Sequence, residues 1–404
     1  MKILVYGYYD DFSFFFSRLG EYHARRNSEV EYYFATNNLS GYFSWPSNNK
    51  ALILPHFLRK KTENSSFSSK QIREMGEYYL LNFLEIPFSK INSKVNFIES
   101  IINKVNPDKV ILSGDVRPTS KIIQYCIKRR NCDIWFFEQG PLKTTVFSKS
   151  GVNANLLPNN LPNRLANKIE EDSIKISSTQ KRYYRLLDVL QSFSSDPEAS
   201  FNISVMLHKF FRRAKNCRSK AIEKRGKKIV LLALQVPDDI NFTFHSSFAT
   251  MLQLLKFILS NLPKNILLII REHPMYKGSY GDNVYNLVEN HKQAFLDANC
   301  PGEGVEWDHI DGFLAVNSLM VFEAIEKGTP AGMLGRATFS SLVEDCQSQQ
   351  RLRDFFSKIS NNQLSAPSAL VITDFIDRTY LKGHFREPTE GLFLKMTQLL
   401  EGKY

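Results

Sequence analysis

Short apolar runs alternate with longer amphipathic stretches through most of the 404 residues. The first apolar run, at 2–9, contains a glycine near its end and predicts a strand. A helical pattern follows from Phe14 to Arg26, and a second apolar run occupies 30–37. Strand, helix and strand in this order favour a parallel sheet with a crossover helix.

The same alternation continues to about residue 165. A helix is expected near 91–105 and another at 118–130, with strands at 108–114 and 132–140. These elements predict one doubly wound α/β domain over residues 1–165.

A second α/β pattern begins at residue 227. It predicts a Rossmann-like domain over 227–370, followed by a helical tail at 371–404. The expected elements are strands at 227–235, 265–270, 312–316 and 330–335, with helices at 247–262 and 318–327.

Residues 166–226 separate the two patterns and are expected to form a helical, basic linker. The stretch 209–228 contains ten Lys or Arg and one acidic residue, Glu223. Such a segment is either a solvated helix or a helix on an anionic membrane surface. On a membrane each basic residue adds about 1 kcal/mol.

The composition is that of a folded protein with excess positive charge. Hydrophobic residues make up 43% of the chain and charged residues 23%, and the formal net charge is +11. This excess indicates an anionic partner, such as nucleic acid, a phospholipid surface or a phosphorylated substrate. The chain contains no basic motif interleaved with aromatic residues, so nucleic acid is not expected as a partner.

The cysteines and the apolar stretches indicate the cellular compartment of the protein. The five cysteines are odd in number and form no C-x-x-C pair, so neither a disulfide framework nor a zinc site is expected. The N-terminus has no signal-peptide pattern, and no apolar run reaches the roughly 18 residues of a membrane span. A cytoplasmic protein is expected, with peripheral membrane attachment as an open alternative.

Polar residues follow four of the expected strands. Ligands of parallel α/β sheets bind at the carboxyl ends of strands, so these positions predict a ligand site. Each cluster alone is also compatible with an ordinary turn or helix cap. The clusters are Glu138-Gln139, the stretch from Gln235 to Asp239, Arg271-Glu272-His273 before Pro274, and Asn317-Ser318.

The side chains in these clusters suit an anionic ligand. Arg271 can bind a phosphate with two hydrogen bonds, and His273 can donate one. Ser318 opens a predicted helix, whose first N–H groups attract anions. Glu323 on that helix either binds sugar hydroxyls or faces solvent.

Asp238 and Asp239 are candidates for metal ligands, for turn residues or for a nucleophile. Coordination of a metal by this pair would need further carboxylates nearby, and the sequence supplies no clear set. No metal site is therefore expected.

Three segments together resemble the capsule polysaccharide biosynthesis family, which includes bacterial retaining β-Kdo glycosyltransferases. They are LLALQVPDDINFTFHSSF, IIREHPMY and DGFLAVNSLMVFEAIEKGTPAGMLG, in this order and spacing. The resemblance covers about 228–337, whereas 1–145 is similar only in outline, through the opening strand and FFEQGPL. It implies the GT-B fold, in which two Rossmann-like domains face each other across a cleft.

The resemblance also implies a donor and a mechanism. The donor would be CMP-β-Kdo and the product CMP, with no further cofactor and no metal. In retaining members the aspartate of a Gln-x-x-x-Asp stretch is the nucleophile, which carries that role to Asp239, four residues after Gln235. His273 and Ser318 would hold the CMP phosphate, and Glu323 the nucleoside.

The remaining candidate residues follow from the same resemblance. Glu138 would face the cleft and act as general base toward the acceptor hydroxyl. The other expected substrate-binding residues are Gln235, Arg271, Asn317, His245 and Ser246. The implied acceptor is a glycan or glycolipid of a bacterial capsule or O-antigen. Apart from the resemblance, Asp10, Asp11 and Ser13 follow the first strand and are candidates for acceptor contacts, although such a stretch is also compatible with an ordinary loop.

Two alternatives stay open. The His-Pro and Asn-Ser elements also resemble those of GT-B sialyltransferases, and polyol-phosphate transferases of the teichoic acid type are a related possibility. A non-catalytic glycan- or lipid-binding partner in a polysaccharide assembly complex would keep the fold but would not need Asp239.

Overall fold

A computed structural model describes most of the chain outside the central segment. The described residues are 1–7, 10–36, 38–46, 50–53, 68, 70–71, 88–159, 161–162, 226–237, 239–274, 276–297 and 304–403. The predicted boundary near 165 and nearly all of the basic linker lie outside these ranges, so both stay predictions.

The N-terminal part alternates strands and helices, as the hydrophobic pattern predicts. Its strands are β1 (Lys2–Tyr6), β2 (Glu31–Thr36), β3 (Lys50–Ile53), β4 (Lys109–Ser113), β5 (Asp133–Gln139) and β6 (Thr144–Ser148). Its helices are α1 (Asp10–Arg26), α2 (Leu39–Ser44), α3 (Phe88–Val105) and α4 (Pro118–Ile127).

The C-terminal part continues the alternation with shorter elements. Its strands are β7 (Lys228–Ala233), β8 (Ile266–Arg271), β9 (Ala294–Leu296), β10 (Gly312–Ala315), β11 (Ala331–Met333), β12 (Glu344–Asp345) and β13 (Leu381–Lys382). Its helices are α5 (Ile240–His245), α6 (Met251–Leu259), α7 (Asp282–Glu289), α8 (Met320–Glu326), α9 (Gln349–Ser360), α10 (Ala369–Thr379) and α11 (Glu390–Glu401).

The chain divides into two compact units. Among the described residues, the first contains 1–152, 159–162 and 377–403, and the second contains 153–158 and 226–376. Each unit is built on its own sheet, so each can be described by itself.

The sheet of the first unit has the order β13-β6-β5-β4-β1-β2-β3. Strands β5, β4, β1, β2 and β3 are parallel to one another. Strands β6 and β13 extend the sheet in antiparallel pairing. The parallel part has the Rossmann order, and Ile3–Tyr6 of its central strand β1 are all buried.

The core of the first unit is rich in phenylalanine. Phe15 of α1 stacks on Phe137 of β5 with ring centroids 5.2 Å apart, and Phe12 stacks on Phe385 at 5.1 Å. Phe393 of α11 lies 5.5 Å from Phe15. These rings join three parts of the chain that are far apart in sequence.

The end of the chain therefore belongs to the first unit. The sequence pattern predicts only a helical tail at 371–404, and the structure differs on this point. Thr389 caps α11 by accepting a hydrogen bond from the Leu392 N–H, and Gly402 ends the helix at a φ of 71°. The buried face of α11 completes the core above α1, which buries apolar area that a free tail would expose.

The sheet of the second unit has the order β12-β11-β10-β7-β8-β9 and is parallel throughout. Residues Ile229–Ala233 of β7 are buried, as expected for a central parallel strand covered on both faces. The cover on the two faces includes α6, whose N-cap Thr250 accepts from the Gln253 N–H, and α9, capped in the same way by Ser348. The predicted α/β class with two Rossmann-like domains is confirmed.

No helix among the described residues is both long enough and apolar enough to cross a membrane. The longest, α3 and α1, both carry charged side chains along their length.

A hydrogen-bonded cluster joins α11 to α1. Glu401 Oε1 accepts from Asn27 Nδ2 at 3.0 Å and from His23 Nε2 at 3.2 Å. Burial lowers the pKa of His23 and so favours its neutral imidazole, whose Nδ1 accepts a hydrogen bond from the Tyr32 hydroxyl at 3.0 Å. The hydrogen bond from Asn27 is the largest cause that holds the pKa of Glu401 at about 2.

We expect Glu401→Leu to lower the free energy of unfolding by about 1–3 kcal/mol, because it leaves the buried His23 N–H without an acceptor. Glu401→Gln keeps an acceptor oxygen and should cost less. Since the carboxylate pKa is depressed in the folded state, the wild-type stabilisation is present above pH 4.5 and is lost as pH falls toward 2.

Urea titrations at pH 7 and pH 3, followed by tryptophan fluorescence, measure both effects. The exposed Glu289→Leu serves as the control and should be nearly neutral. Equal midpoints for Glu401→Leu and Glu289→Leu would show that the cluster does not hold α11 in place.

Candidate functional site

The order of strands in the second sheet reverses between β7 and β10. From β7 the chain proceeds through β8 to β9 on one side, and then returns to β10, β11 and β12 on the other. In open α/β sheets, ligands bind outside the carboxyl ends of the strands at such a reversal. The first polar residues after β7 and β10 are Gln235 and Asn317, each two positions beyond the end of its strand.

Gln235 and Asn317 form a hydrogen-bonded amide pair. Ala233 of β7 is paired with Ala315 of β10, so the parallel register brings the residues two positions further into opposition. Gln235 is only 6% exposed, and its Nε2 donates to Asn317 Oδ1 at 2.8 Å. Asn317 Nδ2 in turn donates to the carbonyl of Asn241 at 2.7 Å, which fixes the orientation of the amide.

The amide oxygen of Gln235 has a different environment from its amide nitrogen. Gln235 Oε1 is buried and has no hydrogen-bond partner among the described residues. A buried acceptor left without a donor costs about 1–3 kcal/mol. Such atoms in folded proteins call for a ligand or an ordered water, and a ligand hydroxyl or N–H would meet this need.

Asp239 is positioned by the start of the short helix α5. It is the N-cap residue, and its Oδ1 accepts from the Asn241 N–H at 2.8 Å. Its carbonyl accepts from the Thr243 N–H at 2.9 Å. No described residue donates to Oδ2 of this partly exposed carboxylate. Asp238 lies outside the described residues.

Arg271, at the end of β8, already has an anionic partner. Its Nη1 lies 2.9 Å from Asp297 Oδ2, and both side chains are 13% exposed. Part of its donor capacity is therefore used inside the unit. Its predicted role toward a phosphate stays a prediction.

Tyr280 connects the ends of β7 and β8. Its hydroxyl accepts from the backbone N–H of His273 at 3.1 Å and donates to the carbonyl of Gln235 at 3.0 Å. Burial raises the pKa of Tyr280, so the hydroxyl keeps its proton. The partly exposed His273 is thereby held beside the amide pair.

Ser318 precedes α8, and Glu323 lies on it. The helix begins at Met320, two residues later than the sequence predicts, and the Ser318 hydroxyl accepts from the Met320 N–H at 3.2 Å. Glu323 is exposed, and its Oε1 accepts from the buried Trp307 Nε1 at 3.0 Å. No described residue donates to its other oxygen.

His245 and Ser246 end α5. His245 is only 2% exposed, and its Nδ1 accepts from Arg336 Nη2 at 3.2 Å. The Ser246 hydroxyl donates to the carbonyl of Phe242 at 2.7 Å. Both predicted substrate-binding side chains are thus engaged within the unit, and their contact with a substrate stays a prediction.

Glu138 and the predicted acceptor residues belong to the first unit. Glu138 lies on β5, is partly buried, and accepts from the Gln139 N–H through Oε1 at 3.0 Å. Asp11 Oδ2 accepts from Arg386 Nε at 2.9 Å, and Ser13 is buried. The Asp10 side chain is outside what the structure describes.

Hydrogen bonds in the second unit thus connect four of the predicted residues in one network, namely Gln235, Asp239, His273 and Asn317. Sequence reasoning did not identify Tyr280 or Arg336, which join this network through contacts across the fold. Among the described residues, no three or more His, Cys, Asp or Glu side chains are grouped so that they could hold a metal ion.

Comparison with known proteins gives one family and several distant structures. The family described as capsule polysaccharide biosynthesis protein matches residues 108–385, more than half of the chain. No curated protein matches the chain in sequence.

Three solved structures are distantly similar to the chain. The β-Kdo 2,7 transferase KpsC of Thermosulfurimonas dismutans is 14% identical, with 83% of this chain and 98% of that chain covered and a TM-score of 0.34. The lipopolysaccharide outer core galactosyltransferase WaaB is 11% identical, with full coverage of both chains and a TM-score of 0.40. The UDP-GlcNAc 2-epimerase of Neisseria meningitidis is 10% identical, covers 99% and 100%, and has a TM-score of 0.37. At such identities, likeness does not extend to substrate or activity.

We expect Tyr280→Phe to destabilise the second unit by about 1–3 kcal/mol, because it leaves the His273 N–H and the Gln235 carbonyl without their shared partner. The measurement is the urea midpoint of the full chain. Tyr33→Phe is the matched control, since the Tyr33 hydroxyl donates to the exposed Glu31 carboxylate and its loss should cost less than about 0.5 kcal/mol. Identical midpoints for the two variants would contradict the connecting role of Tyr280.

Proposed function

The chain belongs to the capsule polysaccharide biosynthesis protein family, and on that premise we propose that it is a retaining glycosyltransferase. It transfers Kdo from CMP-β-Kdo to a glycan or glycolipid acceptor in bacterial surface polysaccharide synthesis. The observation that carries the proposal is the polar network at the strand-order reversal. There the Gln235–Asn317 pair is joined to His273 through Tyr280 and to Asp239 through Asn241, and the buried Gln235 Oε1 has no hydrogen-bond partner among the described residues.

The donor would lie over the carboxyl ends of β7, β8 and β10. His273 and Ser318 are proposed to hold the CMP phosphate, where hydrogen bonds stabilise the charge that develops as CMP leaves. Glu323 has one carboxylate oxygen not used by Trp307, and this oxygen is assigned to the ribose hydroxyls. Gln235 Oε1 would accept from a donor hydroxyl.

Asp239 is proposed as the nucleophile. Its carboxylate attacks C2 of Kdo, and the bond between C2 and the phosphate oxygen breaks with its electron pair departing on CMP. The product of this step is a glycosyl–aspartate ester. The helix cap through Oδ1 supports this role, because it fixes the carboxylate while Oδ2 receives no donor from the described residues.

The second step restores the enzyme. The acceptor hydroxyl oxygen attacks C2, loses its proton to Glu138, and releases the Asp239 carboxylate. Each step inverts C2, so the configuration is retained overall. Neither step as written calls for a metal or a cofactor.

The acceptor and the location are also part of the proposal. A glycan or glycolipid growing at the inner face of the cytoplasmic membrane would place the enzyme there peripherally. The basic stretch 209–228 supports such a location through its charge, although it lies almost entirely outside the described residues.

Donor specificity and the nucleophile can be tested in one assay. We expect turnover of CMP-Kdo and no turnover of CMP-sialic acid or CDP-glycerol. Asp239→Asn should reduce transfer at least about a thousandfold, because the amide is a poor nucleophile. It should leave CMP affinity within about tenfold, or 1.4 kcal/mol, because Asn is as good a helix cap as Asp.

Asp239→Ala is the matched comparison, since it removes both the cap and the nucleophile. Intact-mass measurement with CMP-Kdo should reveal the sugar adduct in the wild type and not in Asp239→Asn. Undiminished transfer by Asp239→Asn would rule out the nucleophile. Turnover of CMP-sialic acid or CDP-glycerol in place of CMP-Kdo would assign the chain to a different transferase.

A further inference from the structure

Arg336 is an exposed cation next to the amide pair, at a position that no motif marks. It follows β11, whose last residue, Met333, is paired with Ala315 of β10. The ends of these two strands are therefore adjacent. The contact between Asn317 Nδ2 and the Arg336 carbonyl, at 3.4 Å, shows the same proximity.

The backbone of Arg336 is fixed to the end of α5. Its N–H donates to the His245 carbonyl at 2.7 Å. The preceding Gly335 makes this approach possible, because a Cβ there would come within 2.7 Å of the His245 oxygen and 2.8 Å of Val316 Cγ1. Any larger residue at 335 would push the two segments apart.

The side chain of Arg336 is fixed to the same residue. Its Nη2 lies 3.2 Å from His245 Nδ1. Arginine can only donate, so His245 accepts at Nδ1 and carries its proton on Nε2. The buried imidazole thus directs the guanidinium without neutralising its charge.

Arg336 and Arg271 differ in whether a carboxylate neutralises the guanidinium. Arg271 is paired with the carboxylate of Asp297, whereas Arg336 forms no ion pair with any described residue. A guanidinium has five N–H donors in a planar fork, and the contact with His245 uses one nitrogen. The remaining donors have the geometry that binds a carboxylate or phosphate through two hydrogen bonds.

Arg336 is also connected to the proposed nucleophile. Asn317 contacts the carbonyls of both Arg336 and Asn241, and the Asn241 N–H donates to the Asp239 carboxylate. The backbone of Arg336 and the carboxylate of Asp239 are therefore linked through the same two asparagines.

We propose that Arg336, positioned by His245, binds an oxyanion of the donor substrate, either the carboxylate of the sugar acid or the phosphate of the nucleotide. The assignment rests on the proposed function and adds to it a binding residue. His245 acts through Arg336 and is a positioning residue.

Binding to the full chain can be measured by calorimetry in the Asp239→Asn background, where CMP-Kdo is not consumed. The probes are cytidine, CMP and CMP-Kdo. We expect Arg336→Gln to weaken binding of CMP-Kdo by about tenfold to a hundredfold, the range typical of a lost charge-assisted contact. Arg336→Lys should recover part of the loss because it keeps the charge.

The three probes separate the two sources of the oxyanion. Weakening of CMP-Kdo alone assigns Arg336 to the carboxylate, and equal weakening of CMP and CMP-Kdo with cytidine unchanged assigns it to the phosphate. Unchanged binding of all three probes, or equal weakening of all three including cytidine, would overturn the assignment. Arg351→Gln, at an exposed arginine on α9, is the matched control and should leave every affinity unchanged.

Two further results separate the claims. The double variant His245→Leu with Arg336→Gln should bind CMP-Kdo as tightly as Arg336→Gln alone. A further loss of affinity when His245→Leu is added to Arg336→Gln would contradict the positioning role of His245. If the Asp239→Asn chain and the wild type bound neither CMP nor CMP-Kdo, the proposed function itself would fail, and this assignment with it. Unaltered melting temperatures confirm that the variants are folded.

Discussion

The hydrogen bond between Gln235 and Asn317 is the contact from which the candidate site is built. It exists because β7 and β10 are parallel neighbours whose register places the two amides opposite each other, just beyond the buried strands. One end of the pair is fixed, since Asn317 also donates to Asn241 at the start of α5. The other end is not satisfied, since Gln235 Oε1 is buried and has no partner among the described residues. An arrangement that orders one amide and leaves one buried acceptor open is suited to receive a ligand.

The surrounding residues are linked to the backbone of Gln235 or to the side chain of Asn317. Tyr280 holds the backbone of His273 against that of Gln235, and Asn241 connects Asn317 to the Asp239 carboxylate. The proposed leaving-group contact and the proposed nucleophile are thus attached to the ends of adjacent strands, where the sheet resists their displacement. The first unit has its own Rossmann sheet and contains Glu138, the proposed general base.

Local pattern was enough to predict the longer parallel strands β1, β2, β4, β5, β7, β8 and β10, the short β11, and the residues at several of their ends, because buried parallel strands are nearly continuous apolar runs. The strands β3, β6, β9, β12 and β13 were not predicted. It could not predict contacts between segments distant in sequence. The ion pair of Arg271 with Asp297, the return of α11 onto α1, and the antiparallel strand β6 after Glu138 all arise from tertiary packing. Tyr280 and Arg336 were missed for the same reason, since a tyrosine in a polar loop and an arginine after MLG carry no signal until the chain is folded. The start of α8 at Met320 was misplaced by two residues because Ser318 also has the character of a helix cap.

Hydrogen–deuterium exchange of the full chain with and without saturating CMP tests the central claim most directly, namely that the cytidylate binds at the strand-order reversal of the second unit. The account predicts slower exchange in 234–237, 239–241, 272–274, 276–280 and 316–323, with little change in peptides from the second unit's α9. Protection confined to peptides of the first unit, or no protection at CMP concentrations that saturate binding, would contradict it.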